Sequence, residues 1–195
     1  MTRIILASAS PRRKELLEQL IGDNFQVFTS SYAEETDRCM SPEELVTHHS
    51  IGKARDVALH FKNAIIVAAD TVVVCRGEIM GKPANSIIAK EMLRKISGQR
   101  IRAITGVTVL DTGKNREQSQ YENTDVWIND LPEKEIESYV NSGEPFGKAG
   151  AFAIQGKGAC FVKRIEGNIS NVVGLPLSRL EKMLKELDVD VQHLE

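Results

Sequence analysis

Residues 65–75, IIVAADTVVVC, are the stretch that most narrows what this chain can fold into. An apolar, β-branched run of this kind bounded by turn residues reads as a central strand. It turns at Arg76–Gly77 into a short return, Glu78–Met80. Around it the pattern alternates strands and helices: a strand over 2–7, a helix over 11–21, a strand near 25–29. Ser41–Pro42 opens a helix reaching about Phe61, with Ser41 as its N-cap. A further helix over 85–96 carries Ile87, Ile88, Met92, Leu93 and Ile96 at helical spacing. Strands over 102–110 and 121–128 flank a hairpin signal at Thr112–Gly113. A helix then runs to about Asn141, a strand over 158–165 follows, and a last helix covers 176–187. Hairpins among helices predict an α/β (α+β mixed) fold with a mixed sheet, because a purely parallel doubly wound sheet supplies no hairpins.

The bulk properties exclude several classes. The length of 195 residues suits a single domain, 1–195, built as one core or as lobes around a cleft. Charged residues make up 27% and the net charge is −2, which argues against non-specific nucleic-acid binding. No apolar run approaches the ~20 residues that span a bilayer, so no membrane is expected. The opening apolar stretch runs straight into SPRRKE, which does not fit a signal peptide. Cys39, Cys75 and Cys160 form no metal knuckle or disulfide pattern, and the expected compartment is the cytoplasm. Cys75 and Cys160 read as small apolar fillers within strands.

Several polar residues stand against this pattern. Asp70 interrupts the apolar run, and burying its carboxylate is costly unless a metal ion, a lysine or an arginine compensates it. It could serve a hydrolytic site, or merely cap a strand end. In MTRIILASASPRR a strand delivers Ser8, Ser10, Pro11, Arg12 and Arg13 to a helix start. Free backbone N–H groups, hydroxyls and guanidinium forks suit a phosphate chain there; a plain strand–loop–helix joint with Ser10 as N-cap is the other reading. Gly81-Lys82-Pro83 presents Lys82 from a tight loop, and a hairpin returning from Asp70 brings it toward the same sheet end. Glu35 and Lys53, taken alone, read as solvated. Five glycines in GEPFGKAGAFAIQGKGACFV surround Gln155, consistent with a loop closing on a ligand or with a string of bulges and turns. His48, His49, His60 and His193 make no metal pattern and are expected at the surface.

Together, ILASASPRRKELL, AADTVVV, GEIMGKP, the SGQ…TGV stretch, SGEP–KAGAFAIQG and NVVGLPL occur in the order found in the Maf family of nucleoside triphosphate pyrophosphatases, which the chain resembles nearly end to end. The resemblance implies an elongated mixed sheet flanked by helices in two lobes, similar to the inosine triphosphatases, often as a homodimer. It implies hydrolysis between the α- and β-phosphorus, with Mg²⁺, or Mn²⁺ or Co²⁺ in its place. By motif position, Asp70, Lys82 and Glu35 are the implied catalytic residues, and Glu35 and Asp70 the implied metal ligands. Ser8, Arg12, Arg13, Lys53, Thr71 and Gln155 are implied around the nucleotide.

Arg13, Thr71 and Gln155 resemble the branch acting on dTTP and UTP, and modified pyrimidine triphosphates fit the same pattern. An amide matches the O4 acceptor and N3–H donor of thymine or uracil, which makes Gln155 the candidate base reader. Ile101, Gly147, Phe152 and Ala153 depart from the residues common in the family. Two alternatives stand beside this reading: a pyrophosphatase for another modified or non-pyrimidine nucleotide, and a nucleotide-binding regulator of septum formation that does not turn over.

Overall fold

A computed structural model describes residues 3–34 and 39–189. In chain order the elements are β1 Arg3–Leu6, α1 Pro11–Ile21, β2 Phe25–Val27, α2 Pro42–Ala58, β3 Ala64–Cys75, β4 Glu78–Met80 and α3 Ser86–Ile96. They continue with β5 Arg100–Asp111, β6 Arg116–Ile128, α4 Glu133–Asn141, β7 Val162–Glu166, α5 Ile169–Val173 and α6 Leu177–Glu186. Two 3₁₀ segments, Ala149–Ala151 and Gly156–Phe161, precede β7. The strands order as β2-β1-β3-β5-β6-β7, with β4 paired to β3. Both β2 and β3 run parallel to β1, whereas β4 is antiparallel to β3 and β7 to β6. The expected mixed sheet is therefore observed.

The chain divides into two compact units. The first comprises 1–70, 105–122 and 174–195; the second comprises 71–104 and 123–173. In the first, β1 and β3 pair in the register Ile4↔Ile65, Ile5↔Ile66 and Leu6↔Val67. Side chains alternate along a strand. Ile5 and Ala7 therefore share one face with Ala64, Ile66 and Ala68, and that face buries Ala54 and Val57 of α2. Ser41 caps α2 by accepting from the Glu44 N–H, while Glu44 accepts from the Ser41 N–H, a capping box. Glu43 and Glu44 in the first turn and Arg55 in the last suit the helix dipole. Gly106 of β5 lies against the α2 backbone, where an added Cβ would stand 2.3 Å from the Val46 carbonyl oxygen. Asp111 closes the β5–β6 hairpin by accepting from the Gly113 and Lys114 N–H groups.

In the second unit Val73, Cys75, Met80, Leu93, Ile101, Ile136, Tyr139, Phe152 and Phe161 share one core. Three expectations fail across the chain. The strand expected over 158–165 starts at Val162, because the glycine-rich stretch before it folds as a 3₁₀ segment. Cys160 lies in that segment, exposed, with its thiol donating to the Lys157 carbonyl, so it is not a buried filler. Cys75 is buried as expected. Similarly, β6 begins at Arg116 rather than 121, since a two-sided polar strand such as REQSQYE lacks the apolar alternation that would betray it.

Adding a side chain at residue 106 must push α2 off the sheet. Gly106→Ala is expected to destabilise the protein by about 1–3 kcal/mol, the usual range for overpacking, read as a lower urea midpoint at constant slope.

Candidate active site

Asp70 continues the even-numbered side of β3 beyond Ile66 and Ala68, and so faces α2. On that helix His49, Lys53 and Val57 follow one another at four-residue steps along one stripe. Val57 packs into the apolar face. The next two members of the stripe meet the carboxylate instead: Lys53 Nζ donates to Asp70 Oδ1 at 2.6 Å, and His49 Nδ1 lies 3.2 Å from Oδ2. An ionised carboxylate only accepts, so the His49 Nδ1 carries the proton in this pair. Lys53 Nζ also lies 2.6 Å from Glu34 Oε1, so one ammonium bridges two carboxylates.

The loop that brings Glu34 is itself mounted on α2. Asp56 accepts from Ser30 Oγ and the Ser31 N–H, both at 2.7 Å, and from Ser31 Oγ at 3.0 Å. The Ser30 hydroxyl, first among these, holds the Asp56 carboxyl below its ordinary value. Tyr32 lies directly over Gly52, where any Cβ would come within 2.3 Å of its ring. The same ring meets His49 edge-on, with centroids 6.0 Å apart.

Burial is the largest single influence on Asp70 and acts to raise its pKa. The His49 hydrogen bond, the charge and hydrogen bond of Lys53, and the charge of Arg13 together outweigh it, holding the carboxyl well below the usual carboxylate range. Arg13 shows the reciprocal effect: burial lowers its pKa, while Asp70 and Glu34 draw it back up.

At the start of α1, Ser10 is the N-cap, accepting from the Arg13 N–H, and Pro11 occupies the first turn. Ser8 is buried, and its Oγ accepts from the Ser10 N–H at 3.2 Å and from Arg13 Nη1 at 3.4 Å. Arg13 Nε donates to the Gly174 carbonyl at 2.8 Å, which fixes the guanidinium plane. Arg12 beside it is half-buried.

The structure thus gathers Ser8, Arg13, Lys53 and Asp70 of the expected residues in the first unit. Thr71, Lys82 and Gln155 belong to the second unit, where Lys82 and Gln155 are exposed and Thr71 is half-buried. Glu35 lies outside the described residues; Glu34, immediately before it, is the carboxylate that meets Lys53. Two residues correct the sequence reading. Lys53 is buried rather than solvated, because it is enclosed between two acids. His49 is buried rather than at the surface, because it hydrogen-bonds Asp70. The spacing 49, 53, 57 on one face of α2, ending in apolar Val57, was the signal available for it.

Glu34, His49 and Asp70 each place one donor atom within 4.8 Å of the others; the two carboxylates suit a divalent cation, while the His49 Nδ1 is already engaged by Asp70. The ammonium of Lys53 already demonstrates that these carboxylates hold positive charge between them.

The family model described as "Maf-like protein" matches residues 3–187. The chain is 57% identical to a Methanosarcina mazei protein named dTTP/UTP pyrophosphatase, over 98% of this chain and 97% of the other. It is 56% identical to one of the same name from Methanococcoides burtonii, over 98% of each chain. A Bacillus cereus protein of that name is 45% identical over 99% of this chain and 100% of its own. Among solved structures, a HAM1 protein from Coxiella burnetii superposes with a TM-score of 0.55 at 13% identity, covering 95% of this chain and 100% of that one, a likeness of fold. Among the described residues no helix is long and apolar enough to cross a membrane.

The depressed Asp70 carboxyl ties stability to pH. Unfolding returns it to about 3.9, so the unfolded chain takes up the proton first on acidification. The stabilisation is complete above about pH 4 and is lost as the pH falls toward the folded-state value. The urea midpoint of the native protein should therefore fall more steeply below about pH 4 than that of Asp70→Asn; equal slopes would show that Asp70 is not held in this way.

Proposed function

The chain belongs to the Maf family, and from that membership and the site around Asp70 we propose that it hydrolyses dTTP and UTP, and modified pyrimidine triphosphates of the same shape, to the monophosphate and pyrophosphate. The observation that carries this reading is a buried carboxylate in an apolar strand whose compensating partners are Lys53, His49 and Arg13.

In the reaction a water oxygen bonds to the α-phosphorus, the bond from that phosphorus to the bridging oxygen breaks, and pyrophosphate leaves. Asp70 accepts the proton from the water. In the free protein Asp70 is a weak base, because Lys53 and His49 both stabilise its ionised form. A triphosphate carries about four negative charges and competes for the Lys53 ammonium. Drawing Lys53 onto the phosphates removes one of the influences that lower the Asp70 pKa, and its proton affinity rises as substrate binds.

Ser8, Arg12 and Arg13 at the start of α1 bind phosphate oxygens, where backbone N–H groups and the helix dipole add to the guanidinium forks. Where the resemblance has Glu35 and Asp70 as the metal ligands, Glu34 and Asp70 are the described carboxylates that would hold a divalent cation, Mg²⁺ or Mn²⁺ or Co²⁺ in its place, which when bound would neutralise phosphate charge and polarise the anhydride. By the motif resemblance we assign Lys82 to the phosphates, Thr71 to the substrate and Gln155 to the pyrimidine edge. The cysteine usage points to the cytoplasm, and the same resemblance to a homodimer, whose mass light scattering reads directly.

A panel of nucleoside triphosphates with pyrophosphate detection should give the highest kcat/KM for dTTP and UTP; preference for a purine would overturn the substrate assignment. Asp70→Asn should lower kcat by about 10²–10⁴-fold, with the nucleotide still bound; full activity removes Asp70 as the proton acceptor. Gln155→Ala should flatten the preference among bases more than it slows hydrolysis, and an unaltered profile excludes Gln155 as the reader.

A further inference from the structure

Asp70 has two oxygens, and each is held by a different donor from the same helix. Lys53 takes Oδ1 at 2.6 Å and His49 takes Oδ2 at 3.2 Å. The two donors are not equivalent. Lys53 is a compact charge on a flexible stem, shared with Glu34, and it is the group a polyanion draws away. His49 is a ring on a short stem, 4% exposed, with Tyr32 against one side at 6.0 Å and His48 at 6.1 Å between centroids. Its ring therefore has little freedom to follow a ligand.

We infer that His49 is a positioning residue for the hydrolysis: its Nδ1–H pins Oδ2 of Asp70, so that Oδ1 is the edge turned to water once Lys53 has moved to the phosphates. Without that pin, a carboxylate released by Lys53 can rotate about its Cβ–Cγ bond and spread its proton-accepting edge over several directions. A catalytic group misdirected in this way costs rate rather than substrate affinity. His49 touches neither substrate nor the reacting atoms in this account. It also adds a desolvated partner to Asp70 that can accompany it in every stage of the cycle. The inference rests on Asp70 being the proton acceptor, and its test separates the two.

Three substitutions discriminate, each assayed with dTTP and UTP beside the native protein and Asp70→Asn. His49→Leu fills the buried space but offers no donor, and should lower kcat by about 10–100-fold, the range typical for an orienting partner, with KM within about threefold. His49→Asn places its amide nitrogen the same number of bonds from the backbone as Nδ1, and should restore kcat to within about fivefold of native. His49→Gln reaches to the Nε2 position instead, and should stay near the leucine variant. Should His49→Leu fail to fold, the contrast between asparagine and glutamine still decides. Mn²⁺ affinity, followed by electron paramagnetic resonance without nucleotide, should change by less than about threefold in all three. Equal kcat in all variants while Asp70→Asn is inactive overturns the inference and leaves the Asp70 assignment standing. A rate loss matched by a large loss of Mn²⁺ affinity that asparagine does not restore also overturns it, since His49 would then be a metal ligand.

Discussion

The ammonium of Lys53, enclosed by Glu34 and Asp70, is the interaction on which the rest of the first unit depends. Two carboxylates this close repel each other, and Asp70 lies in a strand that otherwise buries only apolar side chains. Removing one partner of such a buried pair generally costs far more than the pair contributes, because it leaves an uncompensated charge in a poor dielectric. The arrangement is therefore a weak argument for stability and a strong one for chemistry. It holds acidic oxygens and an ammonium together in one place.

Helix α2 is the common mount for these parts. Its stripe of His49, Lys53 and Val57 passes from the apolar core to the polar site without a change of element. Its contacts at Gly52 and Asp56 seat the loop segment that carries Glu34. A capping box fixes where the helix starts. Loop and strand are thus referred to one rigid body, and local backbone rules set the site geometry.

Much of this was legible in the sequence, for identifiable reasons. Asp70 declared itself because a charge inside β-branched apolar neighbours has no cheap structural use. Ser10 and Ser41 declared themselves as caps through the proline that follows each. The hairpin signals among the helices pointed to the mixed sheet. His49 did not declare itself, and Lys53 did so only through the family resemblance, because a buried polar residue on a helix looks like a solvated one until the strand it faces is known. Cys160 was misread because glycine-rich segments carry strand-like composition without strand geometry.

Gly106 has a consequence beyond packing. With no Cβ at that position, the backbone of α2 at Val46 rests almost on the backbone of the sheet, and His49 is one turn further along. An imidazole has only a three-bond arm from Cα to its Nδ1, so it reaches a carboxylate on the strand only where the helix stands this low. A lysine carries a longer tether and tolerates a higher seat. Among related chains, a bulkier residue at position 106 should therefore be found without a histidine at position 49, while the lysine at position 53 persists.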